Sequence, residues 1–323
     1  MELIFNCGLI ILGFILLLKG ADFMVSGATS FAKKFNVSEL SIGLTIVAMG
    51  TSAPELVVNL VSGSQGLNDV VFGNIIGSNI FNLFLILGLC GTIKPILVQS
   101  NTVWKEIPFS LILFIVFFLL INDSLLFQSD VNILSTIDGI ILLLLFVSFL
   151  YYVFYNVKNQ KHQTEVTENI KQKSNLITFL LIFGGIVGLI IGGKLVVDNS
   201  VEIARNFNVS EKLIGLTILA AGTSLPELAA SVVAAYRGKA DIAVGNVIGS
   251  NIFNITFILG LNSVISPLTY NLDFNFDLYF LIGGSALLFL FMFTLNKKKL
   301  DRWESILFII GFAVYMVFIF IRK

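Results

Sequence analysis

An all-α integral membrane protein, with ten transmembrane helices arranged as two inverted five-helix repeats, is the fold class predicted on three observations. The chain of 323 residues is 56% hydrophobic and 12% charged, where an ordinary soluble domain carries roughly 25% charged residues. Its apolar residues are gathered into runs long enough to cross about 30 Å of hydrocarbon, roughly 20 residues each. Its polar residues recur: Gly-Thr-Ser-Ala-Pro-Glu at Gly50 to Glu55 is answered by Gly-Thr-Ser-Leu-Pro-Glu at Gly222 to Glu227.

The spans follow in order. The first five lie near 3–32, 38–63, 68–92, 104–121 and 133–155, and the second five near 175–204, 210–235, 240–265, 276–295 and 303–321. Met1 to Leu18 lacks the basic start and small-residue cleavage site of a secretory signal, so it is read as a retained first span. Polar links such as Lys33-Lys34, Lys94-Pro95 and Asn296 to Arg302 separate the runs. The chain thus divides into a first five-helix repeat, 1–155, with its motif region at about 38–92; a linker, 156–174; and a second repeat, 175–323, with its motif region at about 210–265.

Thr51 and Thr223 lie 172 positions apart (223 − 51), and that offset aligns Phe35-Asn36-Val37-Ser38-Glu39 with Phe207-Asn208-Val209-Ser210-Glu211 without a gap. It also aligns Gly73-Asn74-Ile75-Ile76-Gly77-Ser78-Asn79-Ile80-Phe81-Asn82 with Gly245-Asn246-Val247-Ile248-Gly249-Ser250-Asn251-Ile252-Phe253-Asn254. Five spans is an odd number, so the second copy sits upside down relative to the first, an arrangement common among secondary transporters. Duplication for packing alone does not explain why the polar residues are the ones kept.

Orientation follows from the positive-inside rule. With the N-terminus outside, the inner loops hold Lys33, Lys34, Lys94, Lys105, Lys158, Lys161, Lys171, Lys173, Arg237, Lys239, Lys297, Lys298, Lys299 and Arg302, against only Arg205, Lys212, Arg322 and Lys323 outside. A multi-pass protein of the cell membrane is expected, with both termini outside and the linker cytoplasmic. Lys19 and Lys194 are read as snorkelling.

Polar side chains at membrane depth are expensive and mark functional sites. On a helix, Thr51 and Ser52 share a face with Glu55, and Thr223 and Ser224 with Glu227. Pro54 and Pro226 cannot donate to the carbonyls at Gly50 and Gly222, so the helix is expected to break there and free backbone oxygens. Hydroxyl, carboxylate and carbonyl oxygens are what Na⁺ or Ca²⁺ requires. Asn74, Ser78 and Asn82 form a stripe on a neighbouring helix, repeated by Asn246, Ser250 and Asn254. For Ser78 and Ser250 ligation is favoured; for Asn74, Asn79, Asn246 and Asn251 helix-to-helix glue is the equal alternative. Gly73, Gly77, Gly245 and Gly249 are expected to permit close helix approach.

These motifs, twice in inverted halves, resemble the α-repeats of the sodium/calcium exchangers in the cation/calcium antiporter superfamily. The resemblance implies cation sites at mid-membrane, with Ca²⁺ held by Glu55, Glu227, Thr51 and Thr223. It implies Na⁺ ligands among Ser52, Ser78, Ser224 and Ser250, the same glutamates and the carbonyls of Ala48 and Ala220, with Asn82 and Asn254 flanking the middle position. Some archaeal and potassium-dependent members carry Asp where Asn254 stands, which weighs against K⁺ co-transport. Gly77 and Gly249 stand where the proton/calcium branch places an acid, which weighs against H⁺ as counter-ion. A sliding of the two long spans, the first and sixth, against the other eight is also implied.

Charge supplies a mechanism beside the resemblance. Two ionised glutamates in a low-dielectric pocket lose hydration at a cost of several kcal/mol, so the empty pocket crosses between inward-facing and outward-facing states poorly. One Ca²⁺, or two or more Na⁺, neutralises them, and obligatory exchange results. Three Na⁺ per Ca²⁺, usual in the family, makes the cycle electrogenic, driven at about 2.3 kcal/mol per charge per 100 mV. Protonation neutralises the same acids, so low pH is expected to inhibit.

The function expected is secondary active antiport of Na⁺ against Ca²⁺. A proton-coupled or other divalent cation antiporter on the same scaffold is the alternative, and a channel comes last. No enzyme is expected, for want of a nucleophile with its base or a phosphate-cradling loop. No cofactor is expected, the ions being substrates, and the partners are those ions and the lipid bilayer; a monomer suffices. A net charge of +0 without a basic aromatic stripe excludes nucleic acid. Cys7 and Cys90 are read as structural, and His162 as a solvated linker residue.

Overall fold

The computed structural model describes residues 2–127, 131–159, 174–207, 220–294 and 298–321, and it is a bundle of helices. Helix α1 is Glu2–Phe35, α2 Glu39–Thr51, α3 Ala53–Ser64, α4 Asn68–Ile93, α5 Thr102–Ile121 and α6 Thr136–Asn159. The second half contributes α7 Asn175–Asn206, α8 Ala220–Thr223, α9 Leu225–Tyr236, α10 Ala240–Ile265, α11 Asn275–Phe291 and α12 Arg302–Ile321. Eight helices among the described residues are long and apolar enough to cross a membrane, and the bent pair α2 and α3 makes a ninth. Of the expected span 210–235, the described part is α8 and α9; the rest, with His162 and most of the linker, lies outside the described residues.

Layering follows hydropathy. In α10, 94% of the apolar stretch is buried inside the protein, against 22% in α12, whose Leu, Ile and Phe side chains face outward as lipid-facing surface does. Helices α4 and α10 therefore form the core, and α5, α6, α11 and α12 lie outside them. Lys19 and Lys194 are exposed, while Cys7 is free on the surface and Cys90 free in the core.

Breaks fall where proline places them. Helix α2 gives way to α3 with a bend of 49°. Ser52 at the break has φ −82° and ψ 10°, and Ser224, between α8 and α9, has φ −88° and ψ 6°, with Pro54 and Pro226 just inside the helices that follow. Proline lacks the donor that would continue the ladder but suits a helix's first turn. Wider i→i+5 turns occur at Gly43–Val47, Phe81–Ile86, Thr102–Glu106 and Asn254–Leu259, the second and fourth within one residue of matching places in the repeats. Such turns are rare and cluster at functional sites.

The two longest helices, α1 with 34 residues and α7 with 32, pair along a glycine seam. Ideal Cβ atoms on Gly13 and Gly20 of α1 would lie 2.8 Å from the carbonyl oxygens of Gly192 and Gly185 of α7, so the backbones touch as small-residue interfaces in lipid allow. Gly245 and Gly249 likewise press on the Leu40 and Leu44 carbonyls of α2. The partner equivalent for Gly73 and Gly77 falls within 208–219, outside the described residues.

This pair of helices does not sit symmetrically. Helix α1 lies along α9, joined by an ion pair between Asp22 and Arg237, whereas α7 makes no comparable contact with α3. Short antiparallel strands tie the halves at the loops: Ile96–Leu97 to Lys299–Leu300, and Ile133–Leu134 to Leu268–Thr269.

Candidate cation site

The breaks at Ser52 and Ser224 meet in the core, and each half completes the other. Ser52 Oγ donates to Glu227 Oε1 at 2.8 Å and lies 3.0 Å from Ser250 Oγ. In mirror fashion, Ser224 Oγ donates to Glu55 Oε1 at 3.2 Å and lies 3.1 Å from Ser78 Oγ. Glu55 and Glu227 are each 1% exposed, and each is reached by the serine three residues before the other. The chain thus brings two acids and four serines from both repeats into one enclosed cluster.

Around it the asparagines hold the threonines. Thr51 Oγ1 donates to Asn246 Oδ1 at 3.1 Å, and Asn74 Nδ2 donates to Thr223 Oγ1 at 3.3 Å. Behind them stand two residues that sequence reasoning missed, Asn59 and Ser231. Asn59 Nδ2 donates to Asn74 Oδ1 at 2.8 Å, and Asn246 Nδ2 donates to Ser231 Oγ at 2.9 Å. Each stands four residues after its glutamate, and the pair obeys the 172 offset (231 − 59); the signal was there, masked because the two residue types differ.

The remaining positions divide. Asn82 Nδ2 donates to Asn251 Oδ1 at 3.0 Å, and Asn254 Nδ2 donates to Asn79 Oδ1 at 3.1 Å. Asn79 and Asn251 therefore tie α4 to α10, as the glue reading has it. The Ala48 carbonyl already accepts from the Ser52 amide at 3.0 Å and lies 3.2 Å from Thr51 Oγ1, whose single proton it shares with Asn246. Ala220 opens α8, at the border of the described residues.

The cluster has more open acceptors than donors: Asn79 Nδ2 is a buried donor without a partner, and Asn59 Oδ1 a buried acceptor without one in the outer network. Glu55 Oε2, Glu227 Oε2, Asn82 Oδ1 and Asn254 Oδ1 are buried without a hydrogen-bond partner. Buried polar groups are normally paired, and each exception calls for an explanation. Four acceptor oxygens, two of them on carboxylates, are suited to cations and to nothing that brings only acceptors.

Comparison with known proteins points the same way. A family model described as Sodium/calcium exchanger protein matches residues 5–155 and 177–321. The chain is 33% identical to the sodium/calcium exchanger MaX1 of Methanosarcina acetivorans, covering 98% of each. It is 36% identical to a putative antiporter, CaxA, of Alkalimonas amylolytica, over 96% of this chain and 97% of that one. A solved structure of the sodium-calcium exchanger NCX_Mj superposes with a TM-score of 0.83 at 35% identity, covering 97% of this chain and 98% of the other.

Proposed function

Because this chain belongs to the sodium/calcium exchanger family, we propose that it exchanges Na⁺ for Ca²⁺ by alternating access, with the cluster around Glu55 and Glu227 as the ion site. The observation that carries this reading is the set of unpartnered oxygens on Glu55, Glu227, Asn82 and Asn254. In the proposed site the glutamates, with Thr51 and Thr223, hold Ca²⁺. Ser52, Ser78, Ser224 and Ser250, with the glutamates and the carbonyls of Ala48 and Ala220, serve Na⁺; Ala48 must first release its present bonds. One Ca²⁺ or several Na⁺ cancel the paired charge, and the uncancelled pair resists crossing because desolvating it costs several kcal/mol. Three Na⁺ against one Ca²⁺ moves one net charge. The cell membrane, with termini outside and linker in the cytoplasm, is the proposed setting.

Counterflow tests this. Proteoliposomes loaded with Na⁺ are expected to take up labelled Ca²⁺ only along an outward Na⁺ gradient, faster when the interior is made positive, because one net positive charge leaves in each cycle. Uptake on a pH gradient alone would replace Na⁺ by H⁺ in this reading, and uptake with no counter-ion would make the protein a channel.

The asparagine supports make a second expectation. Asn246→Ala removes the acceptor that holds Thr51 towards the opposite half and the donor to Ser231, a loss of about 1–3 kcal/mol for buried polar groups. Ca²⁺ affinity measured by titration is expected to fall about tenfold to a hundredfold, with the chain still folded.

A further inference from the structure

Outside the central cluster, one other carboxylate among the described residues is enclosed and incompletely partnered. Glu106, in the first turns of α5, is 3% exposed. Its Oε1 accepts from the Tyr152 hydroxyl at 2.6 Å, while its Oε2 is buried with no hydrogen-bond partner. The carboxyl borders a small cleft lined also by Ser38, Ser41, Gln99 and Asn101, with space for about one water-sized body.

The neighbours offer oxygens, and the ammonium groups nearby are held by other partners. Gln99 spends its amide nitrogen on Asp241 at 2.6 Å, which leaves its oxygen for the cleft. Lys239 is committed to Glu39 at 2.8 Å. Lys105 stands 5.5 Å over the Tyr152 ring, near enough for its charge to be felt at Glu106. The second half has a related tie, Tyr315 donating to Asp277 at 3.0 Å between α12 and α11. Asp277 is not among the groups with a buried, unpartnered oxygen, and it has a further interaction beside this one. An acid bonded to a tyrosine is therefore common to both halves, and among the described residues the one that keeps a buried oxygen without a partner and borders a cleft is Glu106, in the first half.

We infer that Glu106 marks a second cation site, separate from the central cluster, which takes one monovalent cation, sodium, on this carboxylate and the neutral oxygens beside it. A single negative charge balances one positive charge, and hard cations favour such oxygens. Ser41 and Leu44 of the cleft belong to α2, whose other end carries Thr51. Ten residues of helix, about 15 Å, join the two places, so the ion braces the start of the helix that bears half of the motif.

The site is tested without transport, which separates its failure from failure of the exchange reading. Full-length protein carrying Glu55→Gln and Glu227→Gln, with the central charge removed, is melted in sodium chloride and in choline chloride of equal strength. Sodium is expected to raise the melting temperature in that background, and adding Glu106→Gln is expected to abolish the rise. No rise in the background, or a rise that survives Glu106→Gln, overturns the inference. Should Glu106→Gln fail to fold, Ser41→Ala keeps the acid and removes one lining oxygen. It is expected to move the half-maximal sodium concentration upward several-fold, and an unmoved value overturns the site equally.

Discussion

Glu55→Gln and Glu227→Gln are each expected to abolish Na⁺-driven Ca²⁺ counterflow, with Ca²⁺ affinity falling about a thousandfold. Glutamine keeps the volume and the oxygen that Ser224 or Ser52 bonds, so packing survives and the change is one of charge. At about 4 Å and an effective dielectric constant of about 20, a unit charge pair is worth roughly 4 kcal/mol, and each ~1.4 kcal/mol is tenfold. Calorimetric titration with Ca²⁺ reads the affinity and proteoliposomes read the flux. Unaltered binding in both variants would remove these carboxylates from the site.

Gly20→Leu is expected to be as damaging from a distance. A Cβ on Gly20 would lie 2.8 Å from both the Gly185 carbonyl oxygen and the Leu189 amide nitrogen of α7. These are backbone atoms that cannot swing aside, so α1 and α7 must part. Overpacking of this kind costs about 1–3 kcal/mol or more. Loss of exchange and a lowered melting temperature are expected. Gly8→Leu supplies the control: it lies on the same helix, its Cβ would meet nothing within 4 Å, and both readouts should be unchanged.

Much of this architecture is written locally and so can be read locally. Hydropathy places the spans to within a few residues, and Pro54 and Pro226 announce the breaks because missing donors act within one turn. The stripe Asn74, Ser78, Asn82 is visible from its spacing. Its destination is not, since only packing decides that Ser78 meets Ser224 and that Ser52 meets Glu227 of the opposite half. Asn59 and Ser231 are hidden in the sequence because the repeats agree there in polarity and not in identity. Glu106 escaped because one acid beside a loop lysine looks solvated until α6 covers it with Tyr152. The two-residue strands joining distant loops have no sequence signature at all.

The Asp22–Arg237 contact makes the halves unequal partners. Interchanging the roles of the repeats would bring α7 against α3 and lift α1 from α9. The residues then facing each other would be Lys194 and Gln65, the 172-offset mates of Asp22 and Arg237, and these cannot form an ion pair. A half-exposed pair is worth up to about 1 kcal/mol, roughly a fivefold preference. The contact therefore favours the arrangement seen over its repeat-swapped counterpart by that factor, and screening by salt relaxes the preference.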